Sequence, residues 1–141
     1  MRPFIKRIAL VILLAYTLLL GYWMLWGFGR AVQPQYMYNI VPFRTIKLFF
    51  HSRKSILKMS IINLIGNIGV FVPFGILIPL SFGGKIAKML GIFLRGLLLL
   101  EILQLLTRRG SFDVDDLILN TVGAMVGYGL YKIGKSWFQR R

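Results

Sequence analysis

The chain has 141 residues, 57% hydrophobic and 14% aromatic, with a mean hydropathy of +0.70 and a formal net charge of +14. Such apolarity excludes an ordinary soluble domain. The absence of cysteine excludes disulfides, thiol nucleophiles and zinc–thiolate sites, and the lone His51 excludes multi-histidine metal motifs. The chain reads as one membrane domain over residues 1–141, with membrane lipids rather than nucleic acid as partners and no cofactor expected.

Crossing a hydrocarbon core roughly 30 Å thick takes about 20 mostly apolar residues. The first such stretch, residues 8–28, follows the basic start MRPFIKR and ends in GYWMLWGF, where Tyr22, Trp23 and Trp26 suit the bilayer interface. Its apolar run is too long for a signal peptide, and no small-residue cleavage site follows. In the next segment, PFRTIKLFFHSRKSILKM, helical spacing puts Arg44, Lys47, His51, Lys54 and Lys58 at i, i+3, i+7, i+10 and i+14. That single basic stripe, beside a separate apolar face, predicts an amphipathic helix lying in the interface with its cations at phosphate level. Pro42 suits its first turn. Attachment to anionic headgroups explains this helix, with His51 as one more polar member of the stripe rather than a catalytic base.

The second span, 60–82, carries Asn63, Asn67, Pro73 and Pro79. The third, 86–106, holds Arg95, Glu101 and Gln104. The fourth, 114–134, opens with Asp115, Asp116 and Asn120 and continues through Gly123 and Gly127. The expected fold is therefore all-α: an integral membrane bundle of four transmembrane helices, with an amphipathic interfacial helix between the first and second.

If the spans alternate in direction, the start of the second, the end of the third and the start of the fourth share one side of the membrane. The intramembrane polar residues occur at those three places. Asn63 and Asn67 share a face; Glu101, Gln104 and Arg108 form one stripe, and Asp113, Asp116 and Asn120 another. A polar cluster of Asn63, Asn67, Glu101, Gln104, Arg108, Arg109, Asp113, Asp115, Asp116 and Asn120 is expected to converge there, with Arg108 and the asparagines as partners for Glu101. Carboxylates near hydrocarbon are costly unless paired, turned inward or beside water, which makes them functional-site candidates.

Packing alone accounts for many of these residues. Asp113 can cap the fourth helix, with Asp115 and Asp116 favourable in its first turn. The amides can bond between helices, and Gly123-x-x-x-Gly127 admits a close neighbour. Glu101 is the residue left over, because a glutamine would bond as well without the charge. Scaffold and working site stand as alternative readings. A metal-dependent enzyme with Glu101, Asp115 and Asp116 as catalytic candidates is a weaker one, since no sequential metal motif accompanies them.

NIVPFRTI, NLIGNIGVFVPFG and EILQLLTRRGSFDVDDLILNTVGAMVGYGLY resemble, in that order, the VanZ-like family of small bacterial membrane proteins, over about residues 39–131. The resemblance implies that Asn63, Asn67, Glu101, Gln104, Arg109, Asp115, Asp116 and Asn120 are the characteristic polar positions. Pro42, Phe43, Pro73, Gly75, Gly123 and Gly127 would then set shape. It also implies a plasma-membrane location, and a role in resistance to teicoplanin and related lipoglycopeptides, with which the family's founding member is associated. A lipid-linked wall precursor or the lipoglycopeptide itself then becomes a candidate partner, and the small-residue faces offer a route to oligomers.

Nine lysines and arginines lie on the side of the N-terminus and eight on the other, with Arg95 in mid-span. This near tie is resolved by the first helix, flanked by three basic residues at its start and Arg30 at its exit, in favour of both termini in the cytoplasm. The polar cluster is then expected to face outwards.

Overall fold

The computed structural model describes residues 3–44, 47 and 54–139, with the main chain alone at 28, 54–63, 138 and 139. Four long helices carry the fold: α1 (Pro3–Trp26), α2 (Lys54–Phe82), α3 (Ile86–Thr107) and α4 (Val114–Gln139). Pro3 opens α1, where its missing N–H costs no hydrogen bond. Inside the apolar spans, Thr17, Ser81, Thr107 and Thr121 each donate to the carbonyl four residues back, so these hydroxyls do not face hydrocarbon unbonded. The turn from α2 to α3 uses Gly83 at φ 106°, a conformation that L side chains rarely adopt.

The helices alternate in direction. Tyr16 of α1 donates to the Val70 carbonyl of α2, while Gly21 of α1 lies against Leu100 of α3 and Met24 against Gln104, so α1 and α3 run together. Likewise α2 and α4 run parallel, because Ile68 meets Gly123 and Val72 meets Gly127. At their interior, Phe71, Phe74 and Phe93 form an aromatic cluster with centroids 5.7 to 5.9 Å apart, packed with Leu13, Leu20, Ile78, Met89, Leu97 and Ala124.

Among the described residues, three helices, α1, α3 and the stretch Leu64–Phe82 of α2, are long and apolar enough to cross a membrane. At 26 residues, roughly 39 Å, α4 has the length but is more polar, carrying Asp115 and Asp116 in its first turn and Lys132 and Lys135 near its end.

Two features differ from the sequence expectation. A short parallel pair joins β1 (Met37–Asn39) to β2 (Ser111–Asp113), with Tyr38 opposite Phe112. It ties the chain leaving α1 to the link between α3 and α4. The helix expected to begin at residue 60 begins at Lys54, so Lys54 and Lys58 belong to the first turns of α2 rather than to a separate interfacial helix. Arg44 and Lys47 are helical and exposed, with the Lys47 N–H bonded to the Phe43 carbonyl at 2.9 Å. His51 lies outside the described residues, as do the side chains of Lys54, Lys58 and Asn63.

The α2–α4 seam has no room for side chains. A Cβ on Gly75 would stand 1.9 Å from the Ala124 carbonyl oxygen, one on Gly123 2.2 Å from that of Ile68, and one on Gly127 2.0 Å from that of Val72. Those atoms belong to helix backbones and cannot swing away. Gly127→Ala should therefore cost about 1–3 kcal/mol, whereas Gly91→Ala, which meets open space, should be neutral or slightly stabilising. Thermal unfolding of the two variants in detergent checks the contrast.

Candidate functional site

The residues of the expected polar cluster, as far as the structure describes them, lie towards the rim formed by the ends of α1 and α3 and the starts of α2 and α4. At the end of α3, Arg108 takes a left-handed conformation at φ 54° and its N–H caps the helix on Leu105. Arg109 N–H bonds the Gln104 carbonyl, and the Arg108 carbonyl accepts from Gln33. This sharp exit sends the chain into β2 and delivers Asp113 to the start of α4.

Three of the four carboxylates are consumed in holding the rim together. Asp113 Oδ1 accepts from the Asp115 N–H at 2.9 Å and from Asn39 Nδ2 at 3.0 Å, capping α4 while tying down β1. Asp115, fully buried, accepts the N–H of Phe43. Phe43 itself sits at φ 63°, a left-handed state that costs a non-glycine residue about 1–2 kcal/mol. That bond explains why a Pro42–Phe43 turn and an Asp–Asp pair 72 residues apart belong together. Asp116 Oδ1 accepts from Asn67 Nδ2 at 3.0 Å, joining α4 to α2.

Glu101 and Asn120 differ. Both are buried, at 1% and 3% exposure. The main chain of Asp113 reaches Glu101, yet Glu101 Oε2 and Asn120 Oδ1 find no donor among the described residues. Gln104, also buried, is satisfied by the Met24 carbonyl at 2.9 Å and serves to hold α1 against α3.

The arginines are arranged otherwise than the stripe on the third helix implied. Arg108 turns outward, because its left-handed cap takes it off the helix face that carries Glu101. Its guanidinium donates to the Pro34 carbonyl at 3.3 Å and lies 5.9 Å from the Tyr36 ring. Arg30, which sequence reasoning used only for orientation, is the cation whose field reaches both Glu101 and Asp116. Arg30 and Arg109 donate to each other's main-chain carbonyls at 3.2 and 3.3 Å, and Arg109 covers Trp26. The signal for Arg30 was its place just beyond an aromatic interfacial run. Among the described residues, no group of three or more Asp, Glu or His is gathered so as to hold a metal ion.

Residues 7–135 match the model of the VanZ/LLP1 family. The chain belongs to that family. It is 31% identical over 81 residues to Protein VanZ of Enterococcus faecium, a match covering 56% of this chain and 50% of that protein. The VanZ-like chain thus spans about half the length of the curated relative it matches. No solved structure matches it.

The division of labour among the carboxylates has a measurable consequence. Asp113→Ala removes a helix cap and should cost about 1–2 kcal/mol in unfolding experiments, while Asp113→Asn, which caps equally well, should cost little.

Proposed function

We propose that this VanZ/LLP1-family protein is a multi-pass protein of the bacterial plasma membrane that lowers susceptibility to teicoplanin and other lipoglycopeptides. It does so through an outward-facing polar cluster that engages lipid-linked or anionic envelope molecules. In this reading α4 is the fourth span. Its length, its seam with α2 and the position of its start at the common rim support it. Both termini lie in the cytoplasm, and Arg44 and Lys47 sit at headgroup level on the outer face.

The single observation that carries the reading is the pair of acceptors, Glu101 Oε2 and Asn120 Oδ1, that find no donor among the described residues, whereas Asp113, Asp115, Asp116 and Gln104 are all bonded. Capping, latching and helix–helix glue account for Asp113, Asp115, Asp116 and Gln104, but leave Glu101 without such a role. A buried polar atom without a partner costs about 1–3 kcal/mol, so its presence favours a task over a structural role. The rim's surroundings support a location at the leaflet surface. Tyr36, Tyr38, Ile40, Val41 and Phe43 are all exposed there, beside Trp26 and the rim arginines. Apolar and aromatic side chains interleaved with cations are what a headgroup layer accommodates.

Expressed in a susceptible Gram-positive host, the protein should raise the inhibitory concentration of teicoplanin. Glu101→Gln and Asn120→Ala should lose that protection at unchanged abundance in membranes. An unaltered teicoplanin value despite good expression of the wild type would refute the role. Because the chain has no cysteine, orientation is testable with single replacements. A cysteine at Gln35 should react with a membrane-impermeant maleimide added to intact cells, and one at Lys135 should react only after lysis; the reverse pattern would invert the topology.

A further inference from the structure

Arg95 stands nine residues after the first residue of α3, about 14 Å along the helix axis, and so close to the middle of a hydrocarbon core roughly 30 Å thick. It is exposed. On one side of it Leu94 and Leu98 face α4, and on the other Phe93, Gly96 and Leu97 face α1 and α2. Arg95 lies between these two faces and points away from the bundle. Among the described residues it has no hydrogen-bond, ion-pair or ring partner. A charge turned towards hydrocarbon at that depth is costly unless something answers it. The four carboxylates of the sequence do not. Asp113, Asp115 and Asp116 lie beyond the far end of α3, and Glu101 is buried on another face of that helix. A second copy of the chain would keep its carboxylates in the same places, so the counter-charge comes from a different molecule.

Lys88, Gly91 and Arg95 are spaced three and four apart and share one outward stripe of α3. Helical side chains lean towards the N-terminus of their helix, which carries the Arg95 guanidinium back over Gly91 towards Lys88. A Cβ on Gly91 would meet open space, so the gap between the two cations is clear. Lys88 is exposed in the first turn and gives one of its three N–H donors to the Phe82 carbonyl at 2.8 Å, leaving two. We propose that this notch binds the phosphate of an anionic phospholipid from the leaflet at the α2–α3 turn, bridged between Lys88 and Arg95. The acyl chains then lie along the exposed Leu98 and Leu99. A phosphodiester accepts from both cations and comes from the interface that Lys88 marks, already anchored in the layer that Arg95 faces. Lys85, exposed at the N-cap of α3, adds a third cation and disfavours a headgroup that carries its own positive charge. A carboxylate on a neighbouring protein's helix fits less well, because it would be buried at mid-span to meet a guanidinium that leans away from there. The notch is at the end of the bundle opposite the polar rim and does not depend on the role proposed for that rim.

Phosphatidylglycerol and phosphatidylcholine with identical chains test this site, because they share the phosphate and differ in the cation that the second carries. Purified full-length protein exposed to an equimolar mixture and analysed by native mass spectrometry should retain phosphatidylglycerol several-fold over phosphatidylcholine. Arg95→Gln should abolish the preference without lowering the melting temperature, since the side chain packs against nothing in the bundle, and Arg95→Lys should keep most of it. Gly91→Leu, which fills the notch, should reduce retention of phosphatidylglycerol. Lys135→Gln removes the same charge at the same end of the bundle, but from α4, and should leave the preference intact. Equal retention by the wild type, or a preference that survives Arg95→Gln, overturns the proposal. So does an equal loss in Lys135→Gln, which would reduce the effect to overall charge. Excess inorganic phosphate should not displace the lipid; displacement would mean a site for soluble anions and would also overturn it. If Arg95→Gln instead releases a co-purifying membrane protein while the lipid preference persists, Arg95 answers a partner helix and the lipid site is wrong.

Discussion

Along the seam of α2 and α4 two main chains touch, and the register of the rim follows from that contact. Gly75, Gly123 and Gly127 present hydrogen where any other residue would drive a methyl group into a carbonyl oxygen. In hydrocarbon there is little hydrophobic gain from bringing helices together, so close van der Waals approach between small residues is what selects one packing over others. Once Ile68 faces Gly123 and Val72 faces Gly127, Asn67 is carried to the level of Asp116 and the two bond. A slide of one helical turn, about 5.4 Å, would break that bond and leave two partly buried polar groups without each other. Packing and polar satisfaction specify the same register.

The rim closes over this seam by a second device, a chain of short polar latches. Asp113 binds both the first turn of α4 and Asn39; Asp115 binds Phe43; the Arg108 carbonyl binds Gln33. Each latch joins the segment after α1 to the α3–α4 link or to the first turn of α4, and the three-residue parallel pair lies among them. Two strands of three residues have no independent stability in water. Their persistence here depends on carboxylates whose positions the helix bundle has already set. The left-handed Phe43 is held in the same way, by a fully buried acceptor that compensates its conformational cost.

Hydropathy and alternation made the helices and their common rim legible in the sequence, because apolar length and i, i+4 spacing are local properties. Asp113 as a cap and Gly123 and Gly127 as contact points were equally readable, each from a short motif with one physical meaning. Three things were not. The pairing of residues 37–39 with 111–113 is long-range and too short to leave a periodic pattern. Arg108 was placed on the face of Glu101 by extrapolating a helix past its true end; the left-handed cap that removes it involves no glycine to announce it. The start of α2 at Lys54 was obscured because basic residues in a first turn oppose the helix dipole and read as flanking sequence.

Consistency at every other level sharpens the case of Glu101. In this protein spacing, capping, glycine placement and hydroxyl bonding all agree with one structure, and local choices that conflict with the fold are rare. A carboxyl group buried at 1% exposure, with one oxygen that finds no donor among the described residues, is such a conflict. Glutamine has nearly the same shape, can never carry a charge that burial would penalise, and brings an N–H of its own. Stability alone would favour it. Where a sequence keeps the costlier residue in an otherwise consistent fold, the place to look for the compensating gain is binding.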